Sequence, residues 1–215
     1  MKKLTLFSVL AVLFAALSFT SCNSSDSSDD SSTGLPDQAT AKSMLLKVGG
    51  YHSCGVLLPA DKDNKIEDKD SIETTYYVNT NDSSFNIASF PVSKFAKYFK
   101  DEDLAKVVAE LPNQDLTGKL LPYSANGPTF GSYLNNIKFS ANGKEYYLVF
   151  YGGYTPYSMA GYATNKTTSK QVFVMYMTLG AVFEGSSTTP LSNALKTQSS
   201  SYGSIPYTLY LMYNL

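Results

Sequence analysis

The chain predicts an α+β fold, mainly antiparallel β, with about eight strands forming a sandwich or small barrel, an N-terminal helix and a short helical insertion. Three observations carry that reading. Asn142-Gly143 lies between two runs of alternating residues, the signal for a two-residue hairpin turn. Val172 to Phe183 is apolar at almost every position, as suits a central strand covered on both faces by the helices. Leu104, Val107, Val108 and Leu111 recur at helical spacing and are followed by Pro112.

Three segments precede or make up the folded part: 1–21 reads as an export signal, 22–34 as an acidic tether, and 35–215 as one globular β-rich domain. Lys2 and Lys3 form a positive start, Leu4 to Phe19 an apolar run, and Thr20-Ser21-Cys22 a small-residue cleavage site. These residues resemble the lipobox of bacterial lipoproteins, with Phe19 where that family usually has Leu. The resemblance implies cleavage before Cys22, acyl chains on it and a lipid-anchored place at the outer membrane. At 16 residues, the apolar run is shorter than the roughly 20 needed to cross a bilayer as a helix. Asn23 to Gly34 has no apolar side chain, so it predicts a solvated tether with an rms reach of roughly 20 Å. Its Asp26, Asp29 and Asp30 resemble the aspartates that send lipoproteins of some anaerobic Gram-negative bacteria to the cell surface; a plain acidic spacer is the competing reading.

Pro36 to Val48 predicts a helix stopped by Gly49-Gly50, with Ala41, Leu45 and Val48 on its buried stripe. Strands follow at Tyr51 to Leu58, Thr74 to Asn79 and Ser84 to Phe90, then a two-piece helical region from Ser93 to Leu111 with Asp101 as a cap. Beyond it come Thr117 to Tyr123, the Asn142-Gly143 hairpin, Gln171 to Phe183 and Pro206 to Tyr213. The hairpin turn sets Phe139 opposite Tyr146 and Ile137 opposite Leu148, with Lys138–Tyr147 and Ser140–Glu145 on the other face. Irregular strand spacing and the helical insertion argue against an outer-membrane barrel.

Composition excludes several function classes. All 17 basic residues are lysine, against 18 acids, and no stretch concentrates positive charge, so a nucleic-acid partner is not expected. With Cys22 acylated only Cys54 remains, so the core must hold the domain without an internal disulfide. His52 and Cys54 share a strand face but supply two ligands where zinc needs three or four, so no metal or other cofactor is predicted. Asp61 to Asp70 alternates oxygen ligands, but Lys65, Ile66 and Ile72 stand where an EF-hand loop needs a ligand, a glycine and a glutamate. Asp70-Ser71-Ile72 resembles an O-glycosylation signal of the same bacterial group, and Asn165-Lys166-Thr167 fits the N-glycosylation sequon.

No catalytic residues are assigned, since the chain has no phosphate loop, nucleophile elbow or zinc-protease helix. Glu73, Glu110, Glu145 and Glu184 are the acids that a carboxylate-based enzyme would have to bring together. Tyrosine is abundant, at 17, and six fall between Tyr146 and Tyr162. Tyr154, Tyr157 and Tyr162 are the candidate ligand-binding residues, placed in a Gly- and Pro-broken loop where their rings stack on a sugar or a partner surface; closing the end of the core is the competing role.

Cys22, the strand start at Gly50-Tyr51, and Phe90-Pro91-Val92-Ser93 leading into the helical pair that ends at Leu111-Pro112 together resemble small uncharacterised envelope lipoproteins of anaerobic Gram-negative bacteria, families known as domains of unknown function. The expected function is a membrane-anchored, non-enzymatic binding or structural module contacting a glycan or a surface protein. The alternative is a lipocalin-like barrel carrying a small apolar ligand, which also begins with a short helix before a strand meander. An enzyme with a carboxylate site ranks third.

Overall fold

The computed structural model describes residues 35–59, 71–124, 129–153, 158–164, 169–200 and 203–215. Helix α1 (Gln38–Val48) starts two residues later than the sequence suggests. Asp37 is its N-cap, accepting the Thr40 N–H at 2.7 Å, and that bond holds the carboxyl below the usual carboxylate range. Strands β1 (Gly50–Leu57), β2 (Ser71–Val78) and β3 (Ser84–Phe90) then run as an antiparallel meander. A 3-10 helix (Val92–Tyr98) and helix α2 (Glu102–Ala109) form the expected two-piece insertion, α2 capped by Asp101. The remaining strands are β4 (Gln114–Pro122), β5 (Thr129–Leu134), β6 (Ile137–Ala141), β7 (Lys144–Phe150), β8 (Met159–Thr164), β9 (Gln171–Glu184), β10 (Thr197–Ser200), β11 (Gly203–Pro206) and β12 (Thr208–Asn214).

Eight of these strands close into a barrel in the order β12-β1-β2-β3-β4-β5-β8-β9, sealed by the β9–β12 pairing. Of the two architectures the sequence left open, the chain adopts the barrel. An eight-stranded barrel is just wide enough for side chains to fill. Its interior holds Val56, Tyr76, Phe85, Ile87, Leu120, Phe130, Phe173, Met175 and Leu211, all nearly or fully buried. This apolar filling is the reverse of the polar interior of a membrane-spanning barrel. Among the described residues no helix is long and apolar enough to cross a membrane.

Strand β9 is long because it serves two sheets. Its first half pairs with β8 inside the barrel; its second half leaves and pairs with β7, carrying the β6–β7 hairpin outward. That hairpin has the predicted register, Ile137↔Leu148 and Phe139↔Tyr146, around a turn with φ of 51° at Asn142 and 74° at Gly143.

The expectation that helices cover both faces of β9 is corrected. Val172, Val174, Leu57 and Met212 form a separate outer cluster flanked by Tyr176 and Tyr210, while the helices close the barrel's ends. Helix α1 crosses one end, where the Tyr213 hydroxyl donates to Val48 O at 3.1 Å and Lys47 Nζ lies 4.1 Å from the centre of the Tyr162 ring. The 3-10 helix closes the other end with Phe95 against Phe90 and Phe150, and Tyr98 against Tyr207.

Candidate functional site

Register on the outer face of β3, β4 and β5 brings the site together. Pairing puts Asn86 opposite Thr117 across β3–β4, and Lys119 opposite Tyr133 across β4–β5, with Asn135 continuing from β5 beside Thr117. The result is two adjacent rows: Asn86–Thr117–Asn135, and next to it Lys119–Tyr133. Asn135 ties itself to β4 by donating its side-chain amide to Thr117 Oγ1 at 2.7 Å, and its backbone N–H to Thr117 O.

Asp115 borders the first row. It accepts the Ser89 N–H and the Asn86 side-chain amide, each at 2.8 Å, and these bonds hold its carboxyl below the usual range. The Ser89 φ of 47° accompanies the register break in β3 that makes the first bond geometrically available. Asn86 Oδ1, by contrast, is buried with no hydrogen-bond partner among the described residues. Lys119 is oriented from the other side, donating to Asp82 O at 2.9 Å.

Tyr133 is the aromatic member, 47% exposed. Its ring lies over the backbone of Gly152 and Gly153: a Cβ at 152 would come within 2.8 Å of the ring, and one at 153 within 3.1 Å of the hydroxyl oxygen. The ring therefore lies against bare backbone while about half of the residue stays exposed. Gly153 also has φ 97°, a region that only glycine enters without strain.

The glycines are themselves fixed. Gly153 and Ser132 exchange backbone hydrogen bonds, the Ser132 hydroxyl donates to Ser158 O, and the Ser158 hydroxyl donates to Gly153 O. Ser132 and Ser158 are fully buried, so this knot seals the point where β9 leaves the barrel. Exposed Tyr151 precedes the knot.

Of the sequence-predicted ligand-binding residues, Tyr154 and Tyr157 lie outside the described residues, as does Cys22. Tyr162 is described, but on strand β8 rather than in a loop: it pairs with Phe173, packs against the core and lies under Lys47. The segment 61–70, Asn165 and Thr167 also fall outside.

His52 and Cys54 do point the same way, into the barrel. His52 stacks on Tyr213 with centroids 4.1 Å apart, and its Nε2 sits 3.2 Å from Val48 O and 3.0 Å from Gly49 O, which assigns the proton to Nε2 and uses it to cap α1. Cys54 is buried, and burial pushes its thiol up to about 12. A thiol that resists ionisation is a poor nucleophile and metal ligand. Among the described residues no three His, Cys, Asp or Glu side chains converge as a metal site.

The four glutamates do not meet as a group. Glu73 is on β2 and Glu110 ends α2, whereas Glu145 and Glu184 sit on the β6–β7–β9 sheet, each ion-paired to a lysine of the hairpin, Lys138 and Lys144 respectively. Asp82 and Asp115, which border this face, are both held low, the wrong direction for a general acid at neutral pH.

Tyr133, Lys119, Asn86 and Asn135 escape sequence reasoning because their convergence depends on strand register between elements far apart in the chain. The Gly152-Gly153 pair was the visible signal; its meaning depended on which ring it would carry. A family model described as a domain of unknown function (DUF4840) matches residues 47–184, which include the whole of this outer face. No curated protein and no solved structure matches the chain.

Proposed function

We propose, for a chain that belongs to the DUF4840 family of domains of unknown function, that it is a lipid-anchored envelope protein whose β3–β4–β5 face recognises a glycan. The anchor is the acyl-modified Cys22 implied by the lipobox resemblance, placing the domain at the outer membrane. The observation that carries the binding reading is the half-exposed Tyr133 ring, set against two glycines beside a row of amide, hydroxyl and ammonium groups. A sugar ring offers an apolar C–H face and a fringe of hydroxyls, and this surface offers complements to both.

Binding to a panel of neutral oligosaccharides tests the reading. Tyr133→Ala is expected to weaken the best binder at least about tenfold, roughly 1.4 kcal/mol, and Tyr133→Phe to retain most of the affinity. Equal affinity for all three proteins would refute the Tyr133 site, and binding of a surface protein alone would change the class of ligand.

A second reading, carriage of a small apolar ligand inside the barrel, draws support from the closed eight-stranded topology and from one interior group. Tyr76 is fully buried among Phe85, Phe173 and Tyr213, and its hydroxyl has no hydrogen-bond partner among the described residues. A guest with one polar atom would satisfy it. The aromatic filling of the interior ranks this reading second.

A further inference from the structure

Exposed apolar side chains are not scattered over this barrel. Among the described residues, the large exposed ones are Leu35, Leu46, Tyr51, Leu121, Tyr123, Tyr133, Tyr151 and Leu215. Tyr133 belongs to the site above, and Tyr151 precedes the glycines beneath it. The other six ring the α1 end: Leu35 leads into α1, Leu46 is on its solvent side, Tyr51 begins β1, Leu121 and Tyr123 lie where β4 emerges, and Leu215 follows β12. Tyr51 is 77% exposed and its ring is tilted against that of Tyr77 with centroids 4.4 Å apart, so a neighbouring ring braces it.

Lysines share this end. Lys42 and Lys47 are on α1 and Lys170 precedes β9, against Asp37 and Asp82. Leucine and tyrosine at the acyl boundary with lysine among the headgroups is the composition of an interfacial surface. The chain outside the described domain joins it here too. Residue 34 adjoins Leu35, and Cys22 stands twelve residues before residue 34 in the chain.

We infer that the α1 end of the barrel docks onto a lipid bilayer, with Leu35, Leu46, Tyr51, Leu121, Tyr123 and Leu215 entering the headgroup boundary. The inference rests on the Cys22 anchor of the proposed function but not on its glycan site. Docking at this end leaves the β3–β4–β5 flank accessible from the side.

The test uses the full acylated chain in vesicles of phosphatidylethanolamine and phosphatidylglycerol. An environment-sensitive fluorophore is placed at Leu46→Cys, Tyr123→Cys or, at the opposite end on α2, Glu110→Cys; buried Cys54 does not compete for the label. Nitroxides on the lipid acyl chains are expected to quench the probes at 46 and 123 at least threefold more than the probe at 110. Equal quenching at all three sites, with the protein in the vesicle fraction, overturns docking while leaving the anchor standing. Failure of the chain to enter the vesicle fraction overturns both. A concentration-dependent spectral shift at 46 and 123 without nitroxide quenching overturns lipid docking in favour of contact between two copies of the chain.

Discussion

Single residues decide this molecule mostly by being unable to ionise or unable to carry a side chain. Burial raises the Cys54 thiol from 9.0 to about 12 and the Tyr176 hydroxyl from 10.0 to about 12, and it raises Tyr76 and Tyr213 as well. In the unfolded chain these groups lose protons at their ordinary values; in the folded chain they keep them. Their contribution to stability is therefore complete below about pH 9 and lost as pH rises from there toward 12. Urea midpoints are expected to be flat from pH 6 to 8 and to fall steadily above pH 9, and a midpoint that held level to pH 11 would contradict the burial of these groups. The same argument predicts that Cys54 stays unlabelled by thiol reagents at pH 8 until the protein is unfolded. His52 shows how far one sequence could speak at this scale: its spacing from Cys54 gave the shared face, but its role as a cap on α1 needed the helix C-terminus folded back against it.

Elements were legible where their signal was local. The Asn142-Gly143 turn fixes its own register through two left-handed residues, and the hairpin pairs as read. Helix α2 announces itself through Asp101 and its apolar stripe. Strands β5 and β8 went unread because their burial is set by neighbours distant in sequence: Thr129–Leu134 and Met159–Thr164 are short, glycine-broken and held by β4 and β9. Placing Tyr162 in a loop was the cost of missing β8. The two-faced apolar character of β9 is legible in the sequence, but its cover is not helical: a strand on a barrel wall buries one face inside and the other against Leu57 and Met212.

Packing between elements is tightest where a glycine replaces a side chain. Gly118 on β4 lies beneath the Phe85 ring: a Cβ there would come within 2.5 Å of the ring and within 2.1 Å of Tyr133 O. Neither backbone nor a fully buried ring can retreat cheaply. Gly118→Ala is expected to cost about 3 kcal/mol or more, read as a lower denaturant midpoint at unchanged slope. A loss below about 0.5 kcal/mol would mean that Phe85 is free to move and that the β3–β4–β5 face is less rigid than the binding proposal requires.

For the molecule as a whole, the barrel separates three features in space: a core closed at both ends by helices, a rim of apolar side chains at the α1 end, and a polar flank built around Tyr133. The central claim is that recognition happens on that flank and not inside the barrel. The most direct measurement labels the tyrosine ring carbons, assigns Tyr133, Tyr151, Tyr76 and Tyr213 by single substitution to Phe, and titrates the protein with the tightest-binding oligosaccharide while recording NMR spectra. The account predicts saturating shifts at Tyr133, with Tyr76 and Tyr213 unmoved. Shifts confined to Tyr76 and Tyr213 would place the ligand in the barrel interior and contradict it.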